Sequence, residues 1–211
     1  MFSFILAKLL TPEIFGLIGL LNIILMISQI LVIGGFGTAL VQRKNISNED
    51  INSIFLFNLV VAFSIFILLN ISSTWISKFF DISNIHDYIF YYSIILLLSS
   101  LGVVPRALLA KDLNYKRIAQ IGFFSTISSG FIAVVLAFYN FGIWSIIYQQ
   151  LIYHFFLSIL LLYSRRWMLK LQISLKSMRD IGAFGFKLML AQLFNASTQG
   201  IINIILAKYF P

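Results

Sequence analysis

The chain has no cysteine at all. Disulfides, thiol nucleophiles, Cys-ligated zinc, haem thiolates and iron–sulfur clusters are excluded together. Charge is scarce as well: Asp, Glu, Lys and Arg make up 10% of the 211 residues, against about 25% in an ordinary soluble domain. Acids are the rarer sign, seven against fifteen basic residues. The only two histidines, His86 and His154, stand too far apart in sequence to suggest a metal site. There is no Gly-x-Ser-x-Gly elbow, His-Glu-x-x-His pair or phosphate loop. No cofactor or metal is expected.

What the chain does have is apolar surface. It is 60% hydrophobic and 16% aromatic, and the mean hydropathy of +0.97 is spread over the whole length. A soluble domain is ruled out, and so is a soluble domain with one anchor. At about 20 apolar residues per span plus short loops, the length holds roughly six or seven helices. The expected fold is all-α, a polytopic membrane helix bundle.

Polar breaks place the spans. Full spans are expected at about 15–40, 54–79, 88–110, 118–138, 143–163 and 181–210, after a partial helix that ends near Pro12. The start shows neither a basic n-region nor a cleavage site, so it reads as the end of a helix and not as a signal peptide. Pro105 removes a backbone donor and is expected to bend its helix near one end. Gly122, Thr126, Gly130, Ala133 and Ala137 form a small-residue stripe suited to close helix packing.

Loop charge sets the orientation. The loops at 41–52, 111–117 and 164–180, together with Arg106, hold eleven of the fifteen basic residues. The opposite loops hold Lys8, Lys78 and Lys208 with Glu13, Asp81 and Asp87, and are neutral. Lys and Arg are retained on the cytoplasmic side, so the first set is assigned there. The net charge of +8 is then a cytoplasmic surplus, and no nucleic-acid partner is expected.

A short repeat also occurs. Ile5-Leu6-Ala7-Lys8 recurs as Ile205-Leu206-Ala207-Lys208, each followed within a few residues by proline, and both copies end an outward-running helix. An even number of spans per unit is the pattern of a transporter with two parallel halves. On this reading residues 1–163 are an N-terminal transmembrane lobe whose first helix is incomplete, and 164–180 are a cytoplasmic linker between lobes. Residues 181–211 are then the truncated first helix of the second lobe.

Several segments carry a family resemblance: Leu10-Thr-Pro-Glu-Ile-Phe-Gly16, Phe36-Gly-Thr-Ala-Leu-Val-Gln-Arg-Lys44 with Asn48-Glu-Asp50, and Pro105-Arg-Ala-Leu-Leu-Ala-Lys-Asp-Leu-Asn-Tyr-Lys-Arg117. Gly142-Ile-Trp-Ser145 with Gln149-Gln150, and Ser174-Leu-Lys-Ser-Met-Arg179, complete the set. In this order they resemble the Wzx-like O-antigen and exopolysaccharide flippases of the multidrug/oligosaccharidyl-lipid/polysaccharide exporter superfamily. The resemblance implies a multi-pass protein of the bacterial cytoplasmic membrane, with two lobes around a central cavity. It implies flipping of undecaprenyl-diphosphate-linked oligosaccharide repeat units from the inner to the outer leaflet. The expected partners are that lipid-linked oligosaccharide, membrane lipids, a coupling proton or sodium ion, and the second lobe.

A flippase must shelter a charged diphosphate and sugars in a polar cavity. Gln192, Asn195, Gln199 and Asn203, spaced by three, four and four, form one stripe on the last helix, and Lys187 lies about one turn nearer the cytoplasm. Amides in lipid are costly unless they pair or face water, so the stripe is a candidate cavity lining; interhelical hydrogen bonding is the alternative. Asn22 and Gln29, seven apart, are further candidates. Arg106, Lys111, Lys116 and Arg117 form a basic cluster at the cytoplasmic mouth, fit either to receive the diphosphate or simply to contact anionic lipid. All seven acids lie in loops or at helix ends, which leaves His154 as the coupling candidate within a span, or a packing residue. The rival readings are a membrane enzyme of the same pathway, a polymerase or glycosyltransferase, and a small-molecule exporter of the same superfamily. The short outer loops and the lack of a catalytic constellation weigh against the enzyme.

Overall fold

The computed structural model describes residues 6, 12–44, 46–82, 84–164, 174, 178–179 and 182–196. The first span, expected as one helix, forms as two pieces: α1, Pro12–Ile33, and α2, Phe36–Gln42. Gly34 and Gly35 between them hold φ of 46° and 72°, a left-handed conformation that a side chain disfavours. Then follow α3, Asn48–Phe80; α4, Ile85–Lys111; α5, Tyr115–Phe138; and α6, Ile143–Ser164. A last described helix, α7, covers 182–196. Among the described residues, five spans are long and apolar enough to cross a membrane, α1 and α2 together counting as one. Apart from Leu6, the repeated Ile-Leu-Ala-Lys segments lie outside the described residues, as do Gln199 and Asn203.

The helix ends follow local chemistry. Ser47 caps α3 in a reciprocal box: the Asp50 amide donates to Ser47 Oγ at 3.1 Å, and the Ser47 amide donates to Asp50 Oδ2 at 3.0 Å. Glu49 and Asp50 stand in the first turn and Lys78 in the last, each favourable to the helix dipole. With this cap α3 begins six residues before the expected span. Its 33 residues measure about 50 Å and overreach a hydrocarbon layer of about 30 Å. Asp81, Leu113 and Asn140 turn the chain at positive φ after α3, α4 and α5. Asn114 caps α5 by accepting from the Arg117 amide at 3.2 Å.

At the centre stands α4. It is 61% buried over its apolar stretch, against 22–33% for the other four spans, and it packs against α1, α2, α3 and α6. Toward the acidic end, Ile89, Ile95 and Leu96 join Leu21, Ala62 and Ile147 in one core; toward the basic end, Val104, Ala107 and Leu108 join Phe36, Leu40, Ile54 and Phe55 in another. Helices gain no hydrophobic drive from one another in lipid, so close approach and hydrogen bonds hold the seams. Asn70 Nδ2 donates to Ser93 Oγ at 3.0 Å between α3 and α4; Ser158 Oγ donates to the Leu98 carbonyl at 2.5 Å between α6 and α4. The small-residue stripe of α5 differs in part from expectation. Ser125, Ser129, Gly130, Ala133 and Ala137 are buried, whereas Thr126 is exposed and a Cβ on Gly122 would meet nothing. Steps of four turn about 40° beyond one helical turn, so the buried row slants across the stripe.

Candidate functional site

A cavity of about 390 Å³ opens among α2, α4, α6 and the start of α5. Its floor and walls follow the helical period. On α4, Ser99, Gly102, Val103, Arg106 and Ala110 recur at intervals of three and four, and on α6 His154, Leu157, Ser158 and Leu161 do the same. Ile33, Gly37, Thr38 and Val41 supply the facing wall, and Tyr115 stands at the entrance. Counting residues from the basic ends of α4 and α6, Ser99 and His154 lie about 15–18 Å deep. That is near the midplane of a hydrocarbon layer of about 30 Å. The cavity therefore runs from the basic ends of these helices about three turns into the bundle.

Small residues make the space. A Cβ on Gly102 would stand 3.3 Å from both Leu161 Cδ1 and Ser158 Oγ, so α4 and α6 approach closely along the cavity floor. At the deep end Ser99 Oγ and His154 Nδ1 share a hydrogen bond of 3.0 Å, and the His154 ring meets Tyr153 edge-on at 5.0 Å. Nearer the mouth, Arg106 is exposed. Among the described lining residues it is the one formal charge. Its guanidinium offers five donors in a planar fork suited to phosphate or carboxylate oxygens.

The other basic candidates divide. Lys111 Nζ donates to the backbone carbonyl of Arg43, and Arg43 pairs with Asp50 at 3.5 Å, so Lys111 ties the end of α4 to the loop before α3. Arg117 Nε donates to Ser164 Oγ at 3.2 Å and fastens α5 to the end of α6. Lys116 is exposed. Of this group Arg106 alone lines the cavity. Lys187, Gln192 and Asn195 are exposed on α7; Asn22 is exposed and Gln29 half-buried on α1. None of these five lines the cavity. The pairing of Arg106 with His154 across one cavity was not evident from either motif. Thr38 and Tyr115 lie within the quoted motifs but not among the candidate site residues, and Ser99 and Ser158 fall in neither, although the spacing of Ser99 and Arg106, seven apart, places them on one face of α4.

Comparison with known proteins gives these features a family. A family model described as "Polysaccharide biosynthesis protein" matches residues 5–211. The chain is 24% identical over 185 residues to the teichuronic acid biosynthesis protein TuaB of Bacillus subtilis (strain 168), covering 86% of this chain and 38% of that protein. It is 28% identical over 213 aligned positions to the succinoglycan biosynthesis transport protein ExoT of Rhizobium meliloti (strain 1021), covering 97% of this chain and 42% of that one. An uncharacterized membrane protein in the cps region of Klebsiella pneumoniae is 23% identical over 132 residues, covering 63% of this chain and 27% of that protein. The chain thus spans less than half the length of these relatives. No solved structure matches it significantly. With five apolar spans among the described residues and a match over nearly its whole length, the chain belongs to the polysaccharide biosynthesis protein family, as an all-α, multi-pass membrane protein.

Proposed function

We propose that this chain forms one lobe of a transporter that flips undecaprenyl-diphosphate-linked oligosaccharide repeat units from the inner to the outer leaflet of the bacterial cytoplasmic membrane. The observation that carries the reading is Arg106: an exposed guanidinium on the wall of a cavity that starts at the basic end of the bundle and reaches about three turns into it. Arg106 stands only about 7–8 Å inside the basic end of α4, and a cation there is costly unless it meets a counter-charge or water. A diphosphate arriving from the inner leaflet supplies the counter-charge, in bidentate geometry. Thr38 and Tyr115 add hydroxyls for the first sugar, and the polyprenyl tail stays in lipid.

The names of the relatives support the substrate class, since one is called a succinoglycan biosynthesis transport protein. In this reading residues 1–163 are the first lobe, 164–180 a cytoplasmic linker, and 181–211 the first helix of the second lobe. Lys187, Gln192 and Asn195, exposed on α7, would then face the space between the lobes. The lining offers no carboxylate for general acid–base chemistry among the described residues, which favours transport over an enzymatic step. His154 remains the coupling candidate.

The test is rescue of surface polysaccharide in a strain that lacks its own flippase, using the complete gene product. Return of polymer supports the reading. A well-inserted protein that restores none sinks it.

A further inference from the structure

The break in the first span has a second helix seated on it. A Cβ on Gly35 would stand 2.5 Å from Leu188 Cβ and 2.9 Å from the Gly185 carbonyl oxygen. In return, a Cβ on Gly185 would stand 2.6 Å from Cδ1 of the Phe36 ring. At those separations something must shift, so the glycine on each backbone admits the other helix. Phe36 is buried at 6% exposure and lies edge-on to Phe57 of α3, with ring centroids 5.0 Å apart. The ring is thus wedged between α3 and Gly185 of α7.

Two faces of α2 have different neighbours. Phe36, Ala39 and Leu40 enter the core beside α3 and α4, while Gly37, Thr38 and Val41 line the cavity. Between α1 and α2 the backbone has Gly34 and Gly35 at positive φ, where two glycines can absorb a change in dihedral angles that other residues resist.

We propose that α2 is a movable wall of the cavity, pivoting at Gly34–Gly35, and that the Phe36–Gly185 contact is the lever by which α7 drives it. Movement of α7 against the bundle displaces the Phe36 ring, and α2 swings about the glycine pair. Its Thr38 face then widens or narrows the approach to Arg106. Such a joint turns a shift between two units into a change of access at one mouth, as alternating access requires. The proposal rests on the transport reading above.

The chain has no native thiol, so introduced cysteines report alone. Phe36→Cys combined with Gly185→Cys, oxidised in membranes, should form a disulfide, because a Cβ on Gly185 would stand 3.2 Å from Phe36 Cγ, the atom bonded to the Phe36 Cβ. Fixing α2 to α7 holds the cavity wall in one position, so oxidation should cut repeat-unit transfer about tenfold or more below that of the same variant kept reduced. Absence of the disulfide overturns the contact. A disulfide that leaves transfer within about twofold overturns the lever and spares the transport reading. Failure of the unmodified protein to restore transfer condemns the transport reading instead. A second measurement needs no transport: Thr38→Cys as the sole thiol, labelled by a membrane-impermeant maleimide in inside-out vesicles. Adding Gly185→Val, which forces the Phe36 ring aside, should change the labelling rate about fivefold or more. An unchanged rate overturns the proposal.

Discussion

Ser99 and His154 meet across the α4–α6 seam at 3.0 Å, at the deep end of the cavity. Arg106 stands seven residues away on the same face of α4, at the shallow end. If the bond serves packing alone, Ser99→Ala should cost about 0.6 kcal/mol, the average for such pairs in a membrane bundle, and leave transfer unchanged. If His154 serves coupling, His154→Gln should abolish the dependence of transfer on the proton gradient while the thermal midpoint in detergent stays near that of the parent. Measuring both quantities on both variants separates the roles.

Replacing Arg106 removes the charge on the cavity wall. A charge-assisted hydrogen bond contributes about 1.5–3 kcal/mol, so Arg106→Ala should lower repeat-unit transfer by about ten- to a hundredfold. Arg106→Lys keeps the charge but loses the fork, and should fall between. Quantifying surface polysaccharide at equal protein levels checks this; equal output from all three proteins would remove Arg106 from the site.

Two glycines should answer oppositely to substitution. Gly102→Val pushes α4 from α6, where an added Cβ would stand only 3.3 Å from Leu161 Cδ1 and Ser158 Oγ, and should destabilise by about 1–3 kcal/mol. Gly122→Ala meets nothing within 4 Å and should stabilise α5 by about 0.5–1 kcal/mol. Thermal unfolding in detergent reads both.

Asn58 on α3 is fully buried, and neither amide atom has a hydrogen-bond partner among the described residues. Burying an unpaired amide costs about 1–3 kcal/mol, so Asn58→Leu, close in volume, should raise stability by a comparable amount. A rise in the unfolding midpoint with transfer intact fits a tolerated defect. A rise accompanied by lost transfer would mark Asn58 as a group that finds its partner in another state of the protein. Asn52, equally buried and equally unpaired, offers the parallel test.

Much of the fold was legible because lipid imposes one rule along the whole chain: apolar runs of span length end where polar or turn residues gather. The turn at Asn140–Gly142 and the breaks near Asp81 and Lys111 fell where expected for that reason. The split at Gly34–Gly35 was not legible, since two glycines inside an apolar run fit a continuous membrane helix as well as a broken one; the packing of α7 against the break decides it. Arg106 could be picked out by its motif, but its cavity depends on which helix faces α4, and periodicity along one helix does not specify its neighbour. Of the amide stripe, Gln199 and Asn203 lie outside the described residues. The part that is described, Gln192 and Asn195, is exposed on α7 and lies outside the lining of the Arg106 cavity.

The central place of α4 has a consequence for how the protein is made. Three of the helices that pack against it, α1, α2 and α3, precede it in the chain, so Ser93 and Arg106 enter a membrane that already holds neighbours for them. On α5 the packing is chiefly against α6, and these two can enter as a hairpin and dock last. The cavity then takes shape when α6 closes on α4, so the cation of Arg106 faces an open groove until that helix has entered.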